Sequence, residues 1–277
     1  VSGATVEWLA ARGEPAPLVV DSPHSGRDYP ADFAFRPPLA EMRRIEDALV
    51  DELLAGVPER GVALVRARFP RSYIDVNRAE DDIDPALLAE PWPGHARPGP
   101  KSESGVGLIT AYQAGGAVYD RRLEVAEVER RIARCYRPYH ACLARALDQV
   151  QGRFGWVWLL DMHSMPSRLG EVPVGLDFCL GDLDGASCAP ELRERVRGWL
   201  AARGYRVGVN DPYRGAEIVR RHGDPRRGRH ALQIEINRAL YLDEQRVEPG
   251  PGFAALRAEL TELIATLAEH SRERAAE

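Results

Sequence analysis

The sequence predicts an α/β protein with a three-layer α/β/α arrangement around a mixed central sheet. Three observations carry this. Short apolar, β-branched runs that stop at turn residues alternate with stretches of helical period. The run Trp156-Val157-Trp158-Leu159-Leu160 is continuous, as in a strand covered on both faces. No linker or shift in composition divides the 277 residues, so 1–277 reads as one domain.

Taken in order, Pro17-Leu18-Val19-Val20-Asp21 reads as a strand that stops at Ser22-Pro23-His24-Ser25-Gly26. Residues 39–57 read as one helix, because Met42, Ile45, Leu49, Val50, Leu53, Leu54 and Val57 recur at steps of three and four. Residues 62–67 and 73–76 are strand candidates. The Pro-, Gly- and acid-rich stretch 80–107 has no period and reads as a long surface excursion bordering an active site. Residues 119–151 carry the longest helical pattern, kinked or broken at Pro138. Strand 156–161 follows, then strand character over 172–180. A helix over 190–203 is closed by Gly204. Strands over 205–209 and 232–236 and an amphipathic helix over 253–270 complete the reading.

Hydrophobic residues make up 44% and charged residues 29%, ordinary for a soluble globular protein. The net charge of −5 is modest, and acids and non-basic residues interrupt the densest basic stretch, 221–229. This excludes an electrostatic footprint for nucleic acid. No apolar run approaches the ~18–20 residues that cross a bilayer, and Val1-Ser2-Gly3 opens no export signal. Cys135, Cys142, Cys179 and Cys188 lack the spacing of a disulfide framework or a Cys-rich zinc site, so free thiols in a reducing cytoplasm are expected. Oligomeric state is not legible.

Two of seven histidines, His24 and His163, follow predicted strands beside turn residues, where open α/β sheets bind ligands. Catalytic zinc takes three His or carboxylate ligands and keeps one open position. The 39–57 helix offers the third: helical phase puts Glu46 amid its apolar stripe and Asp47 at the edge. A carboxylate there is costly unless paired or bound to metal. Arg71-Ser72-Tyr73-Ile74-Asp75-Val76-Asn77-Arg78 gathers a guanidinium fork, an amide and a carboxylate, a grouping suited to a small acidic substrate or to a structural ion pair. In Gln233-Ile234-Glu235-Ile236-Asn237-Arg238, alternation sets Glu235 on the face opposite the isoleucines. Facing a cleft, it suits a general base; otherwise it pairs with an arginine such as Arg238. Ser25 and Ser164 adjoin histidines, but neighbours in an extended segment point apart, and no Gly-x-Ser-x-Gly elbow exists.

These motifs, with Glu46 to Leu53, Pro138-Tyr139-His140, Asp161-Met162-His163-Ser164 and Tyr241, resemble the N-formylglutamate amidohydrolase family in order and spacing over about residues 18–245. That family is similar to zinc carboxypeptidases and aspartoacylase-like deacylases, which implies a phosphorylase/hydrolase-like fold, one catalytic domain and a bound Zn2+, or another divalent transition metal. Their first motif is His-x-x-Glu; here Arg27 stands at the third position after His24, so the carboxylate ligand comes from elsewhere. The resemblance implies metal ligands His24, Asp47 and His163, with Glu46 as the alternative to Asp47. It further implies Glu235 as general base, and Arg71, Asn77 and Arg78 as substrate-binding residues, with Asp161 a supporting carboxylate. The implied reaction is hydrolysis of N-formyl-L-glutamate to formate and L-glutamate, a step of histidine breakdown. Another N-acyl amino acid or a peptide on the same zinc site, or a non-catalytic metabolite or metal binder, are the alternatives.

Overall fold

In the computed structural model, residues 4–113 and 116–276 are described; residues 1–3, read above for an export signal, lie outside them. A seven-stranded mixed sheet forms the centre. Its strands are β1 (Val6–Leu9), β2 (Leu18–Ser22), β3 (Ala63–Ala67), β4 (Val157–Met165), β5 (Phe178–Gly181), β6 (Val207–Val209) and β7 (Arg229–Asn237). Across the sheet they run β1-β3-β2-β4-β7-β5-β6. The inner strands β3, β2, β4 and β7 are mutually parallel, β1 is antiparallel to β3, and β5 is antiparallel to β7.

Helices cover both faces. Leu18, Val20, Trp158, Leu160, Leu232 and Ile234 pack in one apolar cluster with the stripe Leu256, Leu260, Leu263, Ile264 and Leu267 of a long carboxyl-terminal helix (Phe253–Ala276). Each such leucine, fully buried, contributes about 1.5–3 kcal/mol. Val19, Val65, Val157, Leu159 and Ala231 face the other way, toward the helix Arg137–Phe154. Four cysteines are free and buried, as expected.

Several expected elements change. The 39–57 helix is two short pieces, α1 (Leu39–Arg43) and α2 (Val50–Leu53), because Leu49 turns left-handed at φ 65° and tertiary bonds replace helical ones between them. Arg238 donates to the Arg44 and Glu46 carbonyls at 3.1 and 2.7 Å. Ser25 Oγ and Tyr241 OH donate to the Asp47 and Ala48 carbonyls at 2.8 and 2.9 Å. Residues 73–76 form turns rather than a strand: the Asp75 carboxylate accepts from Asn77 N at 2.8 Å, and Arg78 N bonds back to Asp75 O at 3.3 Å. The 172–180 strand splits, its second part being β5, and Val172–Pro173 joins a separate two-stranded ribbon.

The 119–151 helix begins later and is interrupted as expected. Val125–Arg131 leads into a π-helical turn, Ile132–Tyr136, just before Pro138. Pro138 has no N–H for the carbonyl of Arg134, and that carbonyl accepts from Thr5 Oγ1 at 2.8 Å instead. Strand β4 does not stop at Asp161 but runs through Met165, so His163 sits within the strand rather than in a loop after it.

Candidate metal centre and active site

Alternation along β4 and β7 positions the site. Val157, Leu159, Asp161 and His163 share one face of β4; Ala231, Gln233 and Glu235 share the same face of β7. The parallel register sets Asp161 beside Gln233 and His163 beside Glu235. Asp21 of β2 lies beside Asp161. The polar end of each strand thus continues the face that Val157 and Ala231 bury farther down.

His24, Asp47 and His163 converge, each offering one ligand atom within 4.8 Å of the others, and all three are buried. Asp47 Oδ2 lies 3.3 Å from His24 Nδ1 and 3.0 Å from His163 Nδ1. The loop holding Asp47 is fixed to the His24 loop by Asp47 N donating to His24 O at 3.1 Å. Glycine at 26 lets the His24 loop lie against the chain that follows β3: a Cβ there would stand 2.2 Å from Phe69 O.

The far nitrogens meet carboxylates. His24 Nε2 donates to Asp75 Oδ1 at 2.7 Å. His163 Nε2 lies 2.8 Å from Asp161 Oδ1, off the hydrogen-bonding direction, and 3.2 Å from Asn77 Nδ2. Burial disfavours charge on Asp75, yet His24, Arg71 and Arg78 hold its carboxyl well below the usual range. With Asp75 accepting from its Nε2, the His24 ring can turn an Nδ1 lone pair toward an oxygen of Asp47. Two acceptors then face each other in a buried space, an arrangement that a cation resolves. Burial opposes charge on His163 too, but Asp161 and Asp47 draw its pKa well above the ordinary histidine value. The donor set (two imidazoles and one carboxylate, each imidazole backed by a carboxylate) fits a divalent metal such as zinc.

Glu235 lies on the wall of this cluster. Burial, opposed by His163 and reinforced by Asp47, raises its pKa to about 7. Gln233 Nε2 donates to Glu235 Oε1 at 2.8 Å, and Gln233 Oε1 accepts from Asn77 Nδ2 at 3.2 Å. A short amide chain therefore links the imidazole of His163 to the carboxylate of Glu235.

Residues 16–242 match the family described as N-formylglutamate amidohydrolase. The chain belongs to the N-formylglutamate amidohydrolase family. An N-formylglutamate deformylase of Pseudomonas putida is 32% identical over 239 residues, 82% of either chain. Another, of Pseudomonas aeruginosa, is 30% identical over 282 residues, covering 97% of this chain and 98% of its own. The crystal structure of an N-formylglutamate amidohydrolase from Ralstonia eutropha JMP134 superposes with TM-score 0.93 at 46% identity, over 98% of this chain and 99% of that one.

Within this family member, Glu46 is buried but turned away from the three converging ligands. Tyr29 OH donates to its Oε1 at 2.8 Å, and burial raises its pKa to about 7. Arg71 stands at the site's edge, donating to Asp47 Oδ1 at 3.3 Å and to Asp75 Oδ2 at 2.8 Å. Arg78 is half-buried, its Nε donating to Val106 O at 3.1 Å and its Nη1 to Asn77 O at 2.8 Å. The amide of Asn77 is committed to the protein on both sides, since its Oδ1 accepts from Ile218 N at 2.8 Å. Asn77 therefore holds neighbours in place rather than presenting a free amide. Arg238 does not pair with Glu235; it reaches Asp47 Oδ1 at 3.1 Å and Ser164 Oγ at 3.0 Å.

Sequence reasoning overlooked Gln233, Arg238 as an anchor of Asp47, and the pair Asp21–Tyr139 behind Asp161. Tyr139 OH donates to Asp21, whose pKa burial and Asp161 push well above the carboxylate range. Alternation did mark Gln233 as a same-face neighbour of Glu235, a signal that period-2 counting could have used. The motif Pro138-Tyr139-His140 holds Tyr139, but nothing in the sequence pairs it with Asp21, 118 positions away.

Proposed function

We propose that the protein hydrolyses the amide of N-formyl-L-glutamate to formate and L-glutamate with a divalent metal, zinc by preference, held by His24, Asp47 and His163. The observation that carries this reading is the in-register placement of a buried Glu235 beside His163, at the point where two imidazoles and a carboxylate converge. Membership of the family and the names of the relatives support the same substrate. The metal would supply Lewis acidity and an activated water at neutral pH.

The chain's own residues do the rest. Asp75 holds the imidazole of His24 in orientation from behind, and Asp161 stands beside that of His163 as a counter-charge. Glu235 accepts a proton from the attacking water on a carboxylate oxygen and returns it to the leaving nitrogen. A pKa of about 7 lets it do both near neutrality. Gln233 keeps that carboxylate in place. Arg71 and Arg78 bind substrate carboxylate and orient the small formyl group, and Asn77 acts by fixing His163, Gln233 and the loop at Ile218. Burial of the cluster excludes bulk water, which strengthens each of these charge interactions.

The test is metal analysis followed by formate release from N-formyl-L-glutamate, with N-acetyl and N-succinyl analogues alongside. About one equivalent of divalent metal per chain and selective formate release are expected. Metal-loaded protein that releases no formate would sink the named substrate.

A further inference from the structure

Of the 37 Lys and Arg residues in the chain, one alone is a lysine, Lys101. It lies in a short helix, Pro100–Glu103, within the excursion that borders the site. Val106 N donates to Lys101 O at 2.8 Å, and Val106 O accepts from Arg78 Nε at 3.1 Å, so one residue fastens the lysine segment to Arg78. The bonds of Arg78 go to neutral carbonyls of Val106 and Asn77. Among the described residues neither Arg78 nor Lys101 has a carboxylate within ion-pair distance, whereas Arg71 is paired with both Asp47 and Asp75. Lys101 remains exposed, but surrounding protein strips part of its hydration. The like charges of Arg78 and Arg71 add to this, Glu235 and Asp75 oppose it, and the ammonium is held below the usual lysine value. Val106 thus fastens the segment of Lys101 to the side chain of Arg78, and among the described residues neither cation has an anion of its own. A compact ammonium fits beside a guanidinium where a second planar fork would crowd it.

We propose that Lys101 and Arg78 form the subsite for the side-chain carboxylate of the substrate, which leaves the α-carboxylate to Arg71. The α-carboxylate is two bonds from the scissile nitrogen, so it belongs beside Arg71, the part-exposed arginine that bridges Asp47 and Asp75. The side-chain carboxylate is four bonds away and reaches the pair farther out. This assignment rests on the N-formylglutamate reading and makes it specific: Lys101 discriminates an acidic from a neutral side chain.

The experiment compares wild type and Lys101→Gln on N-formyl-L-glutamate and N-formyl-L-glutamine. In parallel, acetylation of Lys101 by acetic anhydride is followed by mass spectrometry with L-glutamate or L-glutamine present. Loss of a charged contact should raise KM for N-formyl-L-glutamate by about tenfold or more, with kcat changed less than about twofold. KM for N-formyl-L-glutamine should stay within about twofold, since that side chain makes no ion pair to lose. L-Glutamate should slow acetylation of Lys101, and L-glutamine should not. Equal effects on both substrates, or an undiminished preference for glutamate with Lys101 unshielded, would overturn the subsite. Shielding by L-glutamate in a protein that releases no formate would instead keep the subsite and reject the substrate.

Discussion

Each imidazole at this site has a carboxylate on either side: His24 lies between Asp75 and Asp47, and His163 between Asp161 and Asp47. Buried carboxylates without donors are costly, and among the described residues both oxygens of Asp161 lack a hydrogen-bond partner. The cluster therefore favours whatever positive charge can enter. Asp75→Asn leaves His24 in place but removes the charge behind it, so metal affinity should fall by about 10–100-fold. Competition with a chelator of known affinity measures this; an unchanged affinity would remove Asp75 from the proposed metal site. His24, His163 and Glu235 were legible because strand ends and period-2 alternation mark them. Asp75 and Asp161 read equally well as structural carboxylates, because their partners lie on other elements that periodicity does not connect.

At the scale of elements, the segment 44–49 shows how tertiary bonding overrides helical period. The apolar residues from 49 to 57 still bury: Leu49, Val50, Leu53, Leu54 and Val57 occupy the core as their spacing implied. The backbone between the helices is instead drawn out by Arg238, Ser25 and Tyr241, which presents Asp47 to the histidines and Glu46 to Tyr29. Phase on a regular helix had favoured Glu46, and the break at Leu49 reverses that order. Arg238→Met should lower stability by about 3 kcal/mol, since it leaves a buried carboxylate and two carbonyls short of partners. It should also weaken metal binding through the freed Asp47. Denaturant unfolding and a metal titration on the same sample check this, and a loss below about 0.5 kcal/mol would show that the segment holds itself.

For the whole molecule, the layer order and the parallel inner strands followed from continuous apolar runs between helical segments. The direction of β5 and the ribbons did not, because a fully buried four-residue run does not reveal which way it pairs and two-residue strands carry no period. A second buried pair ties the two halves of the site region together. His140 Nε2 donates to Val76 O at 3.0 Å, so its Nδ1 accepts from His222 Nε2 at 3.0 Å. Burial, aided by His222 and Arg221, lowers the pKa of His140 to about 2, and burial with Arg221 and Arg229 lowers that of His222 to about 3. Both groups are neutral in the folded protein but take up protons when unfolded below about pH 6.5. The unfolded state then binds more protons, so the stability these groups contribute is complete above that pH and is lost as the pH falls toward 3. The slope approaches about 2.7 kcal/mol per pH unit for two protons, and His222→Asn should reduce it by about half. Unfolding midpoints at pH 7.5, 5.5 and 4.5 give the slope; identical slopes in the two proteins would contradict the assignment.

The most direct measurement of the central claim is formate release from N-formyl-L-glutamate by Glu235→Gln, with metal content determined on the same sample. A general base set beside an intact metal centre requires about one divalent metal per chain and turnover reduced by about 100-fold or more. Turnover at the wild-type rate with the metal bound would contradict it.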